Sequence, residues 1–261
     1  VGHAMANTPK TFTRDNGATI AYHKSEGDGP GNGPSDEPGV IFLGGFMSDM
    51  DGTKAVALEA HCQQQRRAYL RFDYQGHGQS SGEFTEGTIG KWSEDAIDVL
   101  DTLTEGPQIL VGSSMGGWIM LLAALARPER VAGLVGIAAA PDFTEALMWK
   151  GFSTEIRETL QRDRVYHAPS EYADSPYAIT MDLIEDGRTH LLLDKPIDFA
   201  GPVHLFQGIV DDAVPWEHAL TISRQLTSND VTTTLIKDGD HRLSRPEDLT
   251  KIFAAVDSLA D

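Results

Sequence analysis

The sequence predicts an α/β fold in which a mostly parallel, doubly wound sheet is covered by helices on both faces. Short, continuously apolar runs recur along the chain, helix-period stretches separate them, and one long interruption, 141–201, divides the last runs from the rest. Runs apolar on both faces suit strands buried on both sides, as a parallel sheet between two helix layers demands.

In chain order, Thr11 to Arg14 and Thr19 to His23 flank Asn16-Gly17, a dipeptide that accepts positive φ, and read as an opening antiparallel hairpin. Gly27 to Gly39 is crowded with Gly, Pro and acids and reads as a surface loop. Val40 to Leu43 is the first core strand, closed by Gly44-Gly45, and a helix follows through Ala55, Leu58 and Cys62. Tyr69 to Phe72 is the next strand. A Gly-rich loop and an amphipathic helix from about Ile89 to Leu103 lead to Ile109-Leu110-Val111. A helix then runs from Ser114 to about Ala126, stopped by Pro128, and Val131 to Ala138 is a further strand. Within the interruption, Ser175-Pro176 reads as a helix cap with its first-turn residue and Gly187 as a helix terminator. Val203 to Phe206 and Thr232 to Ile236 resume the strands, and Asp248 to Leu259 suits a closing helix. The expected organisation is one domain with a core of 11–140 and 202–261 and a small helical cap insertion of 141–201.

The 261 residues suit one large domain, and 40% hydrophobic content argues against disorder. Acidic residues outnumber basic ones 39 to 21, a formal charge of −18 that repels phosphate backbones, so no nucleic-acid partner is expected. Cys62 is the only cysteine, which excludes a disulfide framework and a thiolate metal cluster. No apolar run reaches membrane-spanning length, so stable membrane insertion is not expected. The start, Val1 to Lys10, has neither a signal core nor an Arg-rich presequence, so the expected location is cytoplasmic.

Gly112-Ser113-Ser114-Met115-Gly116 carries the chemistry: a G-x-S-x-G pattern at a strand-to-helix junction. A serine on that turn is exposed above the sheet with a helix N-terminus beneath it, whereas a chance Gly/Ser turn would lack the flanking strand and helix. Serine is a weak nucleophile and needs a base held by a carboxylate, and in folds that carry this strand-to-helix nucleophile turn the partners follow in the chain order Ser, acid, His. Asp211, in Gly208-Ile209-Val210-Asp211-Asp212-Ala213-Val214-Pro215, and His241, in Asp238-Gly239-Asp240-His241-Arg242, follow strands at the required places. Asp212 competes with Asp211, and the first acid of the turn is preferred. His218 follows Trp216 in a helix-like stretch and reads as a surface histidine, while Asp73 and His77 of the Gly-rich loop read as structural. Oxyanion donors are expected from the N–H groups of Met115 and of Phe46, in Gly44-Gly45-Phe46-Met47. In the insertion, Phe143, Leu147, Met148, Trp149 and Phe152 offer more apolar surface than a connection needs. Met148, Trp149 and Phe152 are assigned as candidate acyl-pocket residues, the plainer reading being that they seal the cap onto the core. A cap hinged at Pro141 and near Gly201 would gate access.

Beyond these patterns, Asp51-Gly52-Thr53-Lys54-Ala55, Arg71-Phe72-Asp73-Tyr74, Gly90-Lys91-Trp92, Gly106 to Ser114, Gly116-Gly117-Trp118, Ala168 to Tyr172 and Val214-Pro215-Trp216 make the chain similar to one family. It resembles the α/β-hydrolase family, and within it the branch of acyl-protein thioesterases and acyl-glucuronide esterases; the acidic Gly/Pro loop and missing presequence point to a bacterial relative. The resemblance implies the α/β-hydrolase fold, a Ser114, Asp211 and His241 triad, an acyl-enzyme route, and a small-molecule acyl ester or thioester as substrate, with no cofactor and no metal. Gly44 stands where family members often carry a histidine. Two other readings use the same fold: a serine peptidase, for which no peptide-end pocket is recognisable, and a non-catalytic binding protein, which would usually have lost a triad member. A dehalogenase or epoxide hydrolase would place Asp where Ser114 stands.

Overall fold

Asn16-Gly17 turns the chain as its composition requires. In a computed structural model that describes residues 8–27, 37–169 and 176–260, β1 (Lys10–Thr13) and β2 (Thr19–Ser25) pair antiparallel around it. Strand and helix then alternate through β3 (Gly39–Leu43), α1 (Thr53–Gln64), β4 (Tyr69–Phe72), α2 (Ile89–Leu103), β5 (Gln108–Ser113), α3 (Met115–Ala126) and β6 (Val131–Ile137). A π-helical turn (Thr144–Trp149), α4 (Thr154–Asp163), β7 (Val165–Ala168), β8 (Tyr177–Thr180) and α5 (Met181–Gly187) follow. The alternation resumes with β9 (Val203–Gly208), α6 (Glu217–Gln225), β10 (Val231–Ile236) and α7 (Pro246–Ser258).

The main sheet has eight strands in the order β1-β2-β4-β3-β5-β6-β9-β10, antiparallel only in its β1-β2-β4 portion. β3 lies between β4 and β5, so the connections leaving β3 and β5 diverge, and the crevice outside their carboxyl ends is the natural binding position of an open α/β sheet. Side-chain alternation divides the core into two layers. Ile41 and Leu43 pack with α2 and α3, including Trp92 and Trp118. Val40 and Phe42 face α1 and α7 with Leu58 and Cys62. Each such side chain contributes about 1.5–3 kcal/mol by leaving water. Burial pushes the Cys62 thiol up to about 12, so it serves as packing rather than as a nucleophile.

The insertion departs from the helical expectation in one place. Pro176 precedes β8, which pairs antiparallel with β7, instead of opening a helix; Ser175, its expected cap, lies outside the described residues, as does most of the loop expected at Gly27 to Gly39. The β-branched and aromatic residues of Tyr177-Ala178-Ile179-Thr180 favour the strand, and Ile179 is buried against Leu160, Met181 and Ile184. Gly187 ends α5 as read from sequence.

Both feet of the insertion are fastened together. Asp142 takes φ +62°, and its buried carboxylate accepts hydrogen bonds from the N–H groups of Leu192 and Leu193, each at 2.8 Å. His218 is buried, not on the surface as expected: its Nε2–H donates to the Pro141 carbonyl at 2.8 Å, a pairing that the chain distance between them hides from sequence reading. Burial lowers the His218 pKa, consistent with a neutral ring in that site.

Candidate active site

The turn from β5 into α3 compresses the backbone. Ser114 has φ +55° and ψ −117°, a region that costs a non-glycine residue on the order of 1–3 kcal/mol. The surroundings hold it there. Its N–H donates to the Ile137 carbonyl at 2.9 Å, and its own carbonyl accepts from the N–H groups of Gly117 and Ala140 at 2.9 and 3.0 Å. Gly112 and Gly116 are obligatory at this crossing: a Cβ on Gly112 would lie 2.3 Å from the Gly116 carbonyl oxygen, and one on Gly116 would lie 2.0 Å from that of Leu43. The G-x-S-x-G spacing is thus a packing requirement as much as a chemical one.

Around this serine the structure brings together the residues expected from sequence. His241 Nε2 lies 3.1 Å from Ser114 Oγ, and His241 Nδ1 lies 2.9 Å from Asp211 Oδ2. Asp211 Oδ1 accepts from the N–H groups of Ala213 and Val214, both at 2.8 Å. Burial acts to raise the Asp211 carboxyl, yet the hydrogen bonds from His241, Val214 and Ala213 outweigh it and hold the group below the ordinary carboxylate value. An ionised carboxylate only accepts, so the proton of a neutral His241 sits on Nδ1 and Nε2 faces the serine hydroxyl as acceptor. Asp212, the competing acid, is exposed and makes no contact of this kind.

Two supporting residues escaped the sequence reading. Gln207, fully buried at the end of β9, donates from Nε2 to Asp211 Oδ2 at 2.9 Å and to the Val214 carbonyl at 3.2 Å. A polar side chain inside an apolar strand was the signal available. Lys54, at the start of α1, donates to the carbonyl of Arg242 at 2.5 Å, directly after His241, and burial lowers its pKa to about 8. The run Asp51 to Ala55 carries a family resemblance but no local pattern that marks Lys54 for this contact.

The loop after β3 passes beside the serine, since a Cβ on Gly45 would lie 3.5 Å from Ser114 Cβ. Phe46 on that loop is enclosed edge-on by Phe84, Trp92 and Phe143 at centroid distances of 5.1, 6.1 and 5.7 Å. Met115 opens α3 immediately after Ser114 and is fully buried. Asp73 is buried and accepts from the N–H groups of Met50 and Gln79 at 2.7 and 2.8 Å, in keeping with a structural part.

Met148, Trp149 and Phe152 pack against the insertion's own cluster of Leu160, Ile179, Met181 and Ile184, and Met148 also reaches the main core. Trp149 has the guanidinium groups of Arg157 and Arg188 at 5.4 and 4.8 Å from its ring centre, and Phe152 meets Tyr166 edge-on. Among the described residues, no group of three or more His, Cys, Asp or Glu side chains is arranged to hold a metal ion, and no helix is long and apolar enough to cross a membrane.

Comparison with known proteins places the chain in a family. The sequence pattern of the alpha/beta hydrolase fold matches residues 38–183. The chain belongs to the alpha/beta hydrolase family. Within that family it is 41% identical over 225 residues to the mitochondrial palmitoyl-protein thioesterase ABHD10 of Bos taurus, covering 86% of this chain and 73% of that protein. Among solved structures, a putative hydrolase from Agrobacterium vitis superposes with a TM-score of 0.90 at 38% identity, covering 97% of this chain and 98% of the other. Mouse alpha/beta hydrolase domain-containing protein 10 follows with a TM-score of 0.86 at 37% identity and the same two coverages.

Proposed function

We propose that this member of the alpha/beta hydrolase family is a serine hydrolase that cleaves carboxylic esters or acyl thioesters through an acyl-enzyme. The observation that carries the reading is the chain of contacts from Ser114 Oγ through His241 to Asp211, at 3.1 and 2.9 Å, set on a positive-φ turn above a helix N-terminus. His241 Nε2 takes the hydroxyl proton as Oγ attacks the acyl carbon, and Asp211 keeps the proton of the resulting imidazolium on the Nδ1 side. The oxygen of the tetrahedral intermediate is met by the N–H groups of Met115 and Phe46. Collapse expels the alcohol or thiol, which leaves with the proton from His241. Water then enters, gives its proton to Nε2 and releases the acid by the same steps in reverse roles.

The relatives named as palmitoyl-protein thioesterases support acyl groups as the substrate class. The insertion, 141–201, acts in this reading as a cap over the carboxyl ends of the strands, with the core in 11–140 and 202–261. Met148, with contacts in both the cap cluster and the main core, is the best placed of the three apolar candidates to meet an acyl chain.

A fluorophosphonate probe followed by peptide mapping tests the reading. Covalent label on Ser114, lost in Ser114→Ala, is expected; an active enzyme with unlabelled Ser114 would sink it. Turnover of p-nitrophenyl esters and S-acyl peptide thioesters graded by chain length then ranks leaving group and acyl length.

A further inference from the structure

The loop that carries Phe46 is held from one side by a single segment, Asp73 to His77, which follows β4. The Tyr74 hydroxyl donates to the Gly44 carbonyl at 3.1 Å, and the Met47 N–H donates to His77 Nε2 at 3.2 Å. Within the loop the Ser48 N–H donates to the Gly45 carbonyl at 3.2 Å, and the trans-planar peptide 45–46 carries the Phe46 N–H to the side opposite that carbonyl. Met47 has φ +59°, a conformation unfavourable for a long side chain, and its N–H has a partner outside the loop.

His77 is that partner, and its chemistry is fully determined by its two contacts. Nδ1 lies 3.2 Å from the Gln75 carbonyl, which only accepts, and Nε2 faces the Met47 N–H, which only donates. Both are satisfied by one species, the neutral ring with its proton on Nδ1. The ring is 4% exposed and enclosed edge-on by Tyr74, Phe84 and Trp92 at 5.6, 5.3 and 5.1 Å. Burial lowers its pKa, which favours the same neutral form. The Gln75 carbonyl also accepts from Trp92 Nε1 at 3.0 Å, while the Gln75 N–H and side-chain amide donate to buried Asp95 at 2.8 and 2.7 Å. The acceptor at Nε2 is thus referenced to the body of α2.

We propose that His77 is a positioning residue for catalysis: by accepting the Met47 N–H it sets the peptide planes of the loop and thereby aims the Phe46 N–H at the oxyanion. This inference rests on the reading of Ser114 as nucleophile with Phe46 as a backbone donor. A residue of this kind acts on the transition state, where charge on the oxygen develops, and leaves ground-state binding nearly untouched.

The test uses the full chain and an ester whose turnover disappears in Ser114→Ala. His77→Phe keeps an aromatic ring in the enclosure and removes the acceptor, whereas His77→Gln restores an acceptor oxygen. In folded His77→Phe, kcat is expected to fall roughly 10- to 100-fold with KM within about twofold, the upper end approaching the loss seen when an oxyanion donor is deleted. His77→Gln should recover part of kcat at similar thermal stability. An aliphatic boronic acid, whose adduct places an oxygen at the oxyanion position, should lose affinity in parallel with kcat. If His77→Phe does not fold, His77→Met carries the same test with a filled site and no comparable acceptor. Unchanged kcat in a folded acceptor-free variant, or a loss confined to KM, overturns the inference. If wild-type Ser114 is not labelled by fluorophosphonate, the underlying reading fails instead, and the two failures are told apart by that label.

Discussion

The loops at the carboxyl edge of the sheet and the body of the insertion after β6, beyond the feet that Asp142 and His218 fasten, are held by different kinds of force. At the sheet edge, buried side chains grip backbone: Asp73 takes two N–H groups, Asp211 takes two, and His77 and Tyr74 secure opposite ends of one turn. Hydrogen bonds are directional, so these contacts fix the orientation of the backbone groups they hold more closely than packing alone does. Within the insertion the described contacts are mostly apolar packing around Leu160 and Ile184, guanidinium groups over Trp149, and surface ion pairs such as Arg164 with Glu185. Such contacts tolerate sliding and repacking. On the proposed reading, the difference predicts where each region is sensitive: the edge in turnover, the insertion in stability and substrate range.

The sharpest way to break that contrast is Ser114→Ala. Activity on a p-nitrophenyl ester should fall by about 10⁴-fold or more while the thermal midpoint is unchanged or rises, because alanine removes a hydroxyl that contributes little packing. His241→Ala should be of similar severity. Retention of a tenth of the activity in either would end the assignment.

Next in size is the pair of neighbouring acids. Asp211→Asn should cost about 10³- to 10⁴-fold in kcat, since an amide no longer fixes the proton of His241 on Nδ1, whereas exposed Asp212→Asn should change kcat by less than about twofold. Steady-state kinetics on both variants decides it, and the reverse pattern would move the acid by one residue.

For the insertion, Trp149→Ala should lower stability by about 1–3 kcal/mol through lost packing and lost cation–π contacts, read as a denaturation midpoint. Its chain-length profile from C2 to C16 esters should keep its shape. Met148→Ala, by contrast, should shift that profile, each lost methylene contact being worth roughly 0.8 kcal/mol. A profile that changes for Trp149→Ala and not for Met148→Ala would reverse the roles of the two side chains.

The smallest effect is in pH. The Asp211 carboxyl lies below its ordinary 3.8 in the folded protein. A lowered folded value means the unfolded chain binds the proton first as pH falls, so the stabilisation is present above the unfolded value and is lost on going through the folded one. The gap in thermal midpoint between wild type and Asp211→Asn should therefore narrow as pH is taken from 7 to about 3. A gap independent of pH would show that the carboxylate's charge contributes nothing to folding.

Most of the architecture was legible because it is written in local periodicity. Val40-Ile41-Phe42-Leu43 and Ile109-Leu110-Val111 announce strands buried on both faces, and glycines at 112 and 116 around Ser114 mark a strand-to-helix crossing too tight for any Cβ. Ser114, Asp211 and His241 each follow a strand, β5, β9 and β10, and that order alone assigns them to one edge of the sheet. Tertiary structure decided what depends on contacts between segments far apart in the chain. That Pro176 leads into a strand paired with β7, that His218 is buried under Pro141, and that Gln207 holds Asp211 all depend on what surrounds the residue once the chain has folded. The same holds for His77, whose tautomer is set by Gln75 and Met47 from two different loops. Strand and helix follow from nearest-neighbour burial patterns that a sequence carries on its face, whereas hydrogen-bond partners of buried polar groups are chosen only when the sheet order brings their segments side by side.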